Sequence, residues 1–210
     1  MPRAPAKRPY RLGVGAVLFD RRGRVFVARR LDTPGPAWQL PQGGLDAGEN
    51  PRAAVRRELQ EEIGTDKVRI IGETRDWLRY DLPPDLADKA WDGRFRGQKQ
   101  KWFALRFAGR ASDIRLDASA HPEFGDWRWA RLDDLPREIV AFKRPLYEAL
   151  VAEFRRFAKP VRSTGAARDK GHARKSASGR SSGEGKGDKM TKGPRRGKRA
   201  VFPQTRRSTR

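Results

Sequence analysis

The sequence contains no cysteine and only two histidines, His121 and His172. The absence of thiols excludes disulfides and thiolate metal sites, and two histidines are too few for a histidine-based zinc site. Any metal ion would therefore be a hard cation held by oxygen ligands. Long apolar runs are also absent, since none approaches the ~20 residues that a membrane-spanning helix needs. We expect no membrane contact and a cytoplasmic location.

Acidic residues are few relative to basic ones: 26 Asp and Glu accompany 48 Lys and Arg, for a formal net charge of +22. The imbalance is greatest in residues 159–210, which hold 17 Lys and Arg against 3 Asp and Glu. Such an excess favours a polyanionic partner, either nucleic acid or a phosphorylated substrate, and simple solubility is the alternative. Residues 159–210 are also poor in apolar side chains, so we expect a disordered basic tail that binds RNA nonspecifically, after a folded domain in residues 1–158.

The apolar pattern of the first 158 residues predicts a mixed α/β domain. Residues 12–19 and 24–30 are strand-like runs joined by a glycine turn, which indicates a hairpin. Further strands are predicted over residues 68–71, 76–82, 101–107 and 127–130, with a long irregular loop over residues 81–97. A second helix is predicted after Pro145.

The first helix is predicted to begin at Pro51 with Asn50 as its cap and to end at Gly64 in the left-handed conformation. Its apolar stripe consists of Val55, Leu59 and Ile63. Three glutamates follow at spacings i, i+3 and i+4, namely Glu58, Glu61 and Glu62. Like charges at these spacings weaken an isolated helix by a few tenths of a kcal/mol per pair. The glutamates lie off the stripe, and we expect them on a face turned away from the core.

The segment around these glutamates resembles the signature of the Nudix hydrolases, G-x5-E-x7-R-E-U-x-E-E-x-G-U, where U is a bulky aliphatic residue. The match runs from Gly43 through Glu49 to "RELQEEIG", which ends at Gly64. Only the last position differs, because Thr65 replaces the aliphatic residue, and we expect this to affect packing without harming catalysis. The resemblance implies the Nudix α/β fold, in which a mixed β-sheet is sandwiched between α-helices.

The resemblance also implies a divalent metal, Mg²⁺ in the first place, with Mn²⁺ or Zn²⁺ as alternatives. Carboxylates suit such a cation, which neutralises phosphate oxygens and lowers the pKa of bound water. The family pattern implies that Arg57 orients the glutamates by pairing with Glu49 or Glu61, so that the catalytic set is Arg57, Glu58, Glu61 and Glu62. The implied metal ligands are Glu58, Glu61, Glu62, the carbonyl of Gly43 and Glu123.

Segments outside the signature, among them "YRLGVGAVLF", "WQLPQGG" and "GQKQKWF", resemble the RNA pyrophosphohydrolase branch of this family. That resemblance implies phosphate contacts from Arg11, Tyr80 and Lys143. It also implies that Arg30 and Phe142 stack on either side of a base, a mode worth ~1–3 kcal/mol per base.

Two further lysines are candidates on charge alone, Lys99 and Lys101. They alternate with Gln98 and Gln100, so both should project from one face of a strand. They either contact phosphate or form an exposed edge that discourages strand-to-strand aggregation.

These features lead us to expect a monomeric, metal-dependent enzyme that removes pyrophosphate from 5′-triphosphate RNA, leaves a 5′ monophosphate and so initiates RNA decay. Diphosphate-ended RNA, which would lose orthophosphate, is a second possible substrate. One alternative is hydrolysis of dinucleoside polyphosphates such as Ap4A or Ap5A. Another is a non-catalytic RNA-binding module, against which the complete glutamate set argues.

Overall fold

The structure, a computed structural model, describes residues 8–32 and 37–161. Most of the predicted tail, including His172, lies outside the described residues. Within them, seven strands form one mixed sheet. The strands are β1 (Tyr10–Phe19), β2 (Val25–Arg30), β3 (Gln42–Gly44), β4 (Val68–Glu73), β5 (Leu78–Asp81), β6 (Gly97–Phe107) and β7 (Phe124–Ala130).

The strand order is β4-β6-β1-β2-β7, with β3 paired to β1 and β5 paired to β6. Strands β1 and β6 are parallel over ten residue pairs, from Tyr10↔Gly97 to Phe19↔Arg106, and all other pairs are antiparallel. The central pair is therefore long and regular, whereas β3 and β5 extend the sheet at one end only. Two of the predicted site residues, Gly43 of β3 and Tyr80 of β5, lie at that end.

Helices cover both faces of the sheet. The helices are α1 (Pro51–Ile63), α2 (Pro84–Lys89), α3 (Leu135–Glu138) and α4 (Arg144–Phe154). The apolar stripe of α1 shares one buried cluster with Phe103 of β6, and Tyr147 of α4 shares a second cluster with Trp102 of the same strand. Because successive strand residues point to opposite faces, α1 and α4 lie on opposite sides of the sheet. Within residues 8–32 and 37–161, no helix is long and apolar enough to span a membrane.

The predicted limits of α1 are confirmed. The Asn50 side chain accepts a hydrogen bond from the N–H of Arg52 at 2.8 Å, and Gly64 has φ 72°. The stripe of Val55, Leu59 and Ile63 is fully buried.

The expectation that all three glutamates face away from the core is wrong for Glu62, which is only 6% exposed. Strand β3 closes over this part of the helix, and its pairing with β1 depends on distant residues that the helical pattern does not report.

Other differences concern strand limits. Strand β6 begins at Gly97, four residues before the predicted start, and β7 begins at Phe124 instead of residue 127. The early part of β6 alternates buried glutamines with lysines, so it lacks the apolar signal of a buried strand. Helix α2 forms inside the predicted loop, where Pro84 occupies its first turn.

Candidate active site

Helix α1 brings Glu58 and Glu62 against strand β3. The carboxylate of Glu58 lies where a side chain at Gly43 would be, since a Cβ there would be 1.9 Å from its carboxyl carbon. Glu62 accepts a hydrogen bond from the N–H of Gln42 at 3.0 Å. Only a residue without a side chain at position 43 allows this approach, which gives a physical reason for the glycine.

Arg57 joins the acidic residues into one network. Its guanidinium donates two hydrogen bonds to Glu49, both at 2.9 Å, and a third to Glu58 at 2.8 Å. It also donates to the carbonyl of Gly44 at 3.0 Å and lies 3.4 Å from a carboxylate oxygen of Glu61. The hydrogen bond from Arg57 holds the pKa of Glu49 below its usual range. One planar cation therefore fixes the loop before α1 to the helix.

The carboxylates around β3 repel one another. Burial raises the pKa of Glu62 well above its usual range, and the negative charges of Glu123 and Glu58 add to this effect. Burial also raises the pKa of Glu58, although Arg57 opposes the change and Glu61 and Glu123 reinforce it. Four of the predicted metal ligands are thus close enough for their charges to interact, namely Glu58, Glu61, Glu62 and Glu123.

No three carboxylate or imidazole side chains in residues 8–32 and 37–161 converge into a metal cage. Glu58 and Glu123 each accept a hydrogen bond from an arginine, and Glu62 accepts one from a backbone N–H. The donor set nevertheless fits a divalent cation, because mutually repelling carboxylates, of which Glu58 and Glu62 are largely buried, are stabilised by a nearby positive ion.

Cations surround Tyr80 on the opposite side of the sheet from α1. The Lys143 ammonium lies 5.1 Å from the centre of the Tyr80 ring, and the Phe142 ring lies 5.8 Å from it. Burial lowers the pKa of Lys143 to about 8, an effect that Arg30 reinforces and Glu62 opposes. Burial raises the pKa of Tyr80 above its usual range, and the charges of Arg11 and Arg30 oppose that rise.

The Tyr80 hydroxyl donates to Gln98 at 2.7 Å. The structure therefore brings together Arg11, Tyr80, Phe142 and Lys143, with the Tyr80 hydroxyl already engaged by the protein.

Arg30 connects the basic and acidic groups. Its guanidinium donates two hydrogen bonds to Asp32, both at 2.7 Å, and one to Glu123 at 2.6 Å. Burial disfavours the charge on Arg30, but the two carboxylates outweigh it and hold its pKa above the usual range. A guanidinium carries its N–H groups in its own plane, so hydrogen bonding to carboxylates leaves its flat faces suited to stacking.

The structure does not bring Lys99 and Lys101 to the Tyr80 cluster. Both lysines do project from one face of β6, as predicted, but this is the face that α1 covers. Lys99 is exposed, and the Lys101 ammonium donates to the carbonyl oxygens of Thr74 at 2.6 Å and Arg75 at 3.2 Å. The structure thus shows Lys101 joining β6 to the turn between β4 and β5.

Sequence reasoning missed a chain of amides beneath the site. Gln100 donates to Gln98 at 3.0 Å and lies 3.3 Å from the side-chain oxygen of Gln42, and Gln98 accepts from Tyr80. Gln98 and Gln100 are 4% and 0% exposed. Two glutamines at alternate positions of a strand are only a weak signal of a buried polar row. The lysines that alternate with them indicate an exposed strand instead.

Comparison with known proteins gives a family and several close relatives. A family model described as the NUDIX domain matches residues 9–150. The RNA pyrophosphohydrolase of Rhodospirillum rubrum is 58% identical over 159 residues, which span 76% of this chain and 95% of the relative. The RNA pyrophosphohydrolase of Acidiphilium cryptum is 57% identical over 72% of this chain and 93% of the relative. The RNA pyrophosphohydrolase of Rickettsia conorii is 51% identical over 70% of this chain and 90% of the relative.

Solved structures show the fold. The dihydroneopterin triphosphate pyrophosphohydrolase of E. coli has a TM-score of 0.54 at 19% identity, covering 70% of this chain and 99% of its own. A binary complex of the C. elegans Ap4A hydrolase has a TM-score of 0.50, also at 19% identity. The match covers 69% of this chain and 98% of the hydrolase. At this identity the likeness concerns the fold alone. It confirms the predicted α/β architecture, a mixed sheet between helices.

Proposed function

This chain belongs to the NUDIX family, and from that premise we propose that it is a metal-dependent RNA pyrophosphohydrolase. It converts the 5′-triphosphate end of RNA into a 5′ monophosphate and so initiates RNA decay; diphosphate-ended RNA is a second substrate. The observation that carries the proposal is the identity of 51–58% to proteins named RNA pyrophosphohydrolase, across 90–95% of their own length. We also propose that the enzyme acts as a monomer in the cytoplasm, where it would meet RNA.

The acidic side of the site would hold the divalent cation. Its ligands would be the carbonyl of Gly43 together with Glu58, Glu61, Glu62 and Glu123. All are oxygen donors, which favours Mg²⁺ over softer ions, with Mn²⁺ and Zn²⁺ as alternatives. When bound, such a cation neutralises phosphate oxygens and lowers the pKa of a coordinated water. Arg57 keeps Glu58 and Glu61 beside each other during this chemistry.

The cationic side would bind the substrate. Arg11 and Lys143 lie near Tyr80 and would neutralise the phosphate chain, while the Tyr80 ring supports the Lys143 ammonium. Arg30 and Phe142 would hold a base between them by stacking. Lys99 and Lys101 lie on the face of the sheet that α1 covers, away from Tyr80, and the proposal does not depend on a phosphate contact from either.

Parallel turnover of 5′-triphosphate RNA and Ap4A by the purified protein in Mg²⁺ tests the proposal. We expect release of pyrophosphate from the RNA with the higher kcat/KM, because RNA supplies further bases and phosphates on the 3′ side of its first nucleotide, which Ap4A lacks. A higher kcat/KM for Ap4A would make the dinucleoside polyphosphate hydrolase the better description. RNA binding without turnover of either substrate would favour the non-catalytic module.

The basic tail should matter for long RNA only. The N–H of Val161 donates to the carbonyl of Arg21 at 2.8 Å, so a truncation that spares the domain ends after Val161. It removes residues 162–210, with 16 Lys and Arg and 3 Asp and Glu. Counterion release gives such a segment an affinity that weakens steeply as salt rises. We expect a raised KM for long RNA at low salt, a smaller difference at high salt, and unchanged turnover of a dinucleotide substrate.

A control protein of full length, with the tail lysines and arginines replaced by glutamine, separates charge from length. It should behave like the truncated protein. Equal affinities and equal salt slopes for all three proteins would identify the tail as an inert extension.

A further inference from the structure

A strained turn presents Trp91 to the cationic side of the site. Trp91 and Asp92 have φ of 50° and 57°, and they are the only non-glycine residues with positive φ in residues 8–32 and 37–161. Gly93 continues the left-handed run with φ 68°. A bulky side chain in this conformation is disfavoured, and such strain clusters where a protein needs a side chain in one particular place.

Local contacts hold the turn in this conformation. The carbonyl of Trp91 accepts hydrogen bonds from the backbone N–H of Arg94 at 3.2 Å and from its side chain at 3.1 Å. The ring of Phe95 packs against the Trp91 ring at 6.1 Å with an interplanar angle of 81°. The indole is therefore fixed in direction although it remains half-buried.

The fixed ring meets Arg11. The guanidinium carbon of Arg11 lies 5.3 Å from the centre of the Trp91 ring. The guanidinium also lies against Gly44, where a Cβ would be 2.2 Å from Nη2. In residues 8–32 and 37–161, no carboxylate pairs with Arg11, whereas Arg30 and Arg57 each pair with two or more. Arg11 is thus oriented by an aromatic ring while its charge stays available.

We propose that Trp91 is a positioning residue for the phosphate chain of the substrate and that it acts by holding the Arg11 guanidinium against its ring, beside Gly44. A cation–π contact orients a guanidinium without neutralising it, whereas a carboxylate partner would compete with phosphate. The inference rests on the proposed function only in taking a phosphate chain as the ligand of Arg11.

The competing explanation is that Trp91 merely fills space in the turn. Trp91→Phe and Trp91→Leu distinguish the two, because both keep a large apolar side chain and only phenylalanine keeps an aromatic face. Trp77→Leu is the matched control, since Trp77 is also half-buried and contacts no cation through its ring in the described residues. All variants are made in the full chain, and thermal unfolding of each is measured first.

The first measurement is the affinity for inorganic tripolyphosphate, by calorimetry without divalent cations. We expect Trp91→Leu to weaken binding about tenfold, with Trp91→Phe within about threefold of wild type and Trp77→Leu unchanged. In an Arg11→Ala background, Trp91→Leu should have no further effect, because it acts through Arg11. The KM for 5′-triphosphate RNA should follow the same order with little change in kcat.

A second readout does not depend on how the leucine variant folds. The fluorescence difference between wild type and Trp91→Phe reports on Trp91, and tripolyphosphate should change it only while Arg11 is present. Equal affinities for the phenylalanine and leucine variants, an additive loss in the Arg11→Ala background, or an unresponsive Trp91 would each overturn the inference. Tripolyphosphate binding with this pattern but no RNA turnover would reject the proposed function and leave the inference standing.

Discussion

Glu58→Gln is expected to lower kcat/KM for 5′-triphosphate RNA by about 10³-fold or more, because losing a charged metal ligand removes several kcal/mol of transition-state stabilisation. The amide keeps the shape of the side chain beside Gly43, so the fold should survive. Burial raises the pKa of Glu58, which means that the folded protein disfavours its charged form, and a neutral amide removes that penalty. The loss of the ion pair between Glu58 and Arg57 acts in the opposite direction and lowers stability.

Steady-state turnover in Mg²⁺ and thermal unfolding together check this expectation. Glu148→Gln is the matched control, since Glu148 is an exposed helical glutamate on α4, and it should retain wild-type activity. Near-normal turnover by Glu58→Gln would show that the assigned chemistry is wrong.

The second large effect is expected for Arg57→Lys, with a loss of about 10²-fold in kcat/KM. The guanidinium of Arg57 reaches Glu49, Glu58 and the carbonyl of Gly44 at the same time. A lysine ammonium keeps the charge but lacks the planar fork, so it cannot satisfy all of these acceptors. Glu58 would then be less well placed, and the free energy of unfolding should fall by about 1–3 kcal/mol because partly buried acceptors lose their donors.

Arg52→Lys is the control for this substitution, because Arg52 lies in the same helix and makes one exposed ion pair, with Glu73. Its activity and stability should match the wild type. If Arg57→Lys had the kcat of wild type with only a lower unfolding temperature, Arg57 would serve the fold alone.

The sequence allowed α1 to be predicted closely because its signals are local. A capping asparagine, a proline in the first turn and a glycine at the end lie within 15 residues of one another, and each acts on the backbone beside it. The spacing of Glu58, Glu61 and Glu62 likewise follows from the helix alone. How deeply each glutamate is buried does not, because that depends on β3, which comes before the helix in the chain and pairs with β1.

Strand β3 and the turn at Trp91 could not be predicted for a related reason. Two of the three residues of β3 are glycines, which have low strand propensity, and the strand exists because β1 pairs with it. The only sequence signal of the left-handed backbone at Trp91 is Gly93, two residues later. The alternation of side chains along a strand predicts that Lys99 and Lys101 share a face of β6. Which face this is depends on the packing of α1.

The two glycines of β3 also keep the Glu58 carboxylate apart from the Arg11 guanidinium. Gly43 takes Glu58 on one face of the strand and Gly44 takes Arg11 on the other. The Glu58 carboxylate and the Arg11 guanidinium are therefore held apart by the backbone of β3. Only three residue pairs fix this register, Gly13↔Gly44, Val14↔Gly43 and Gly15↔Gln42. A slip of one residue would turn each glycine to the opposite face, so an insertion or deletion in the loop before β3 would place the side chain of Gln42 or Leu45 where one of the two glycines is needed, even with every charged residue intact.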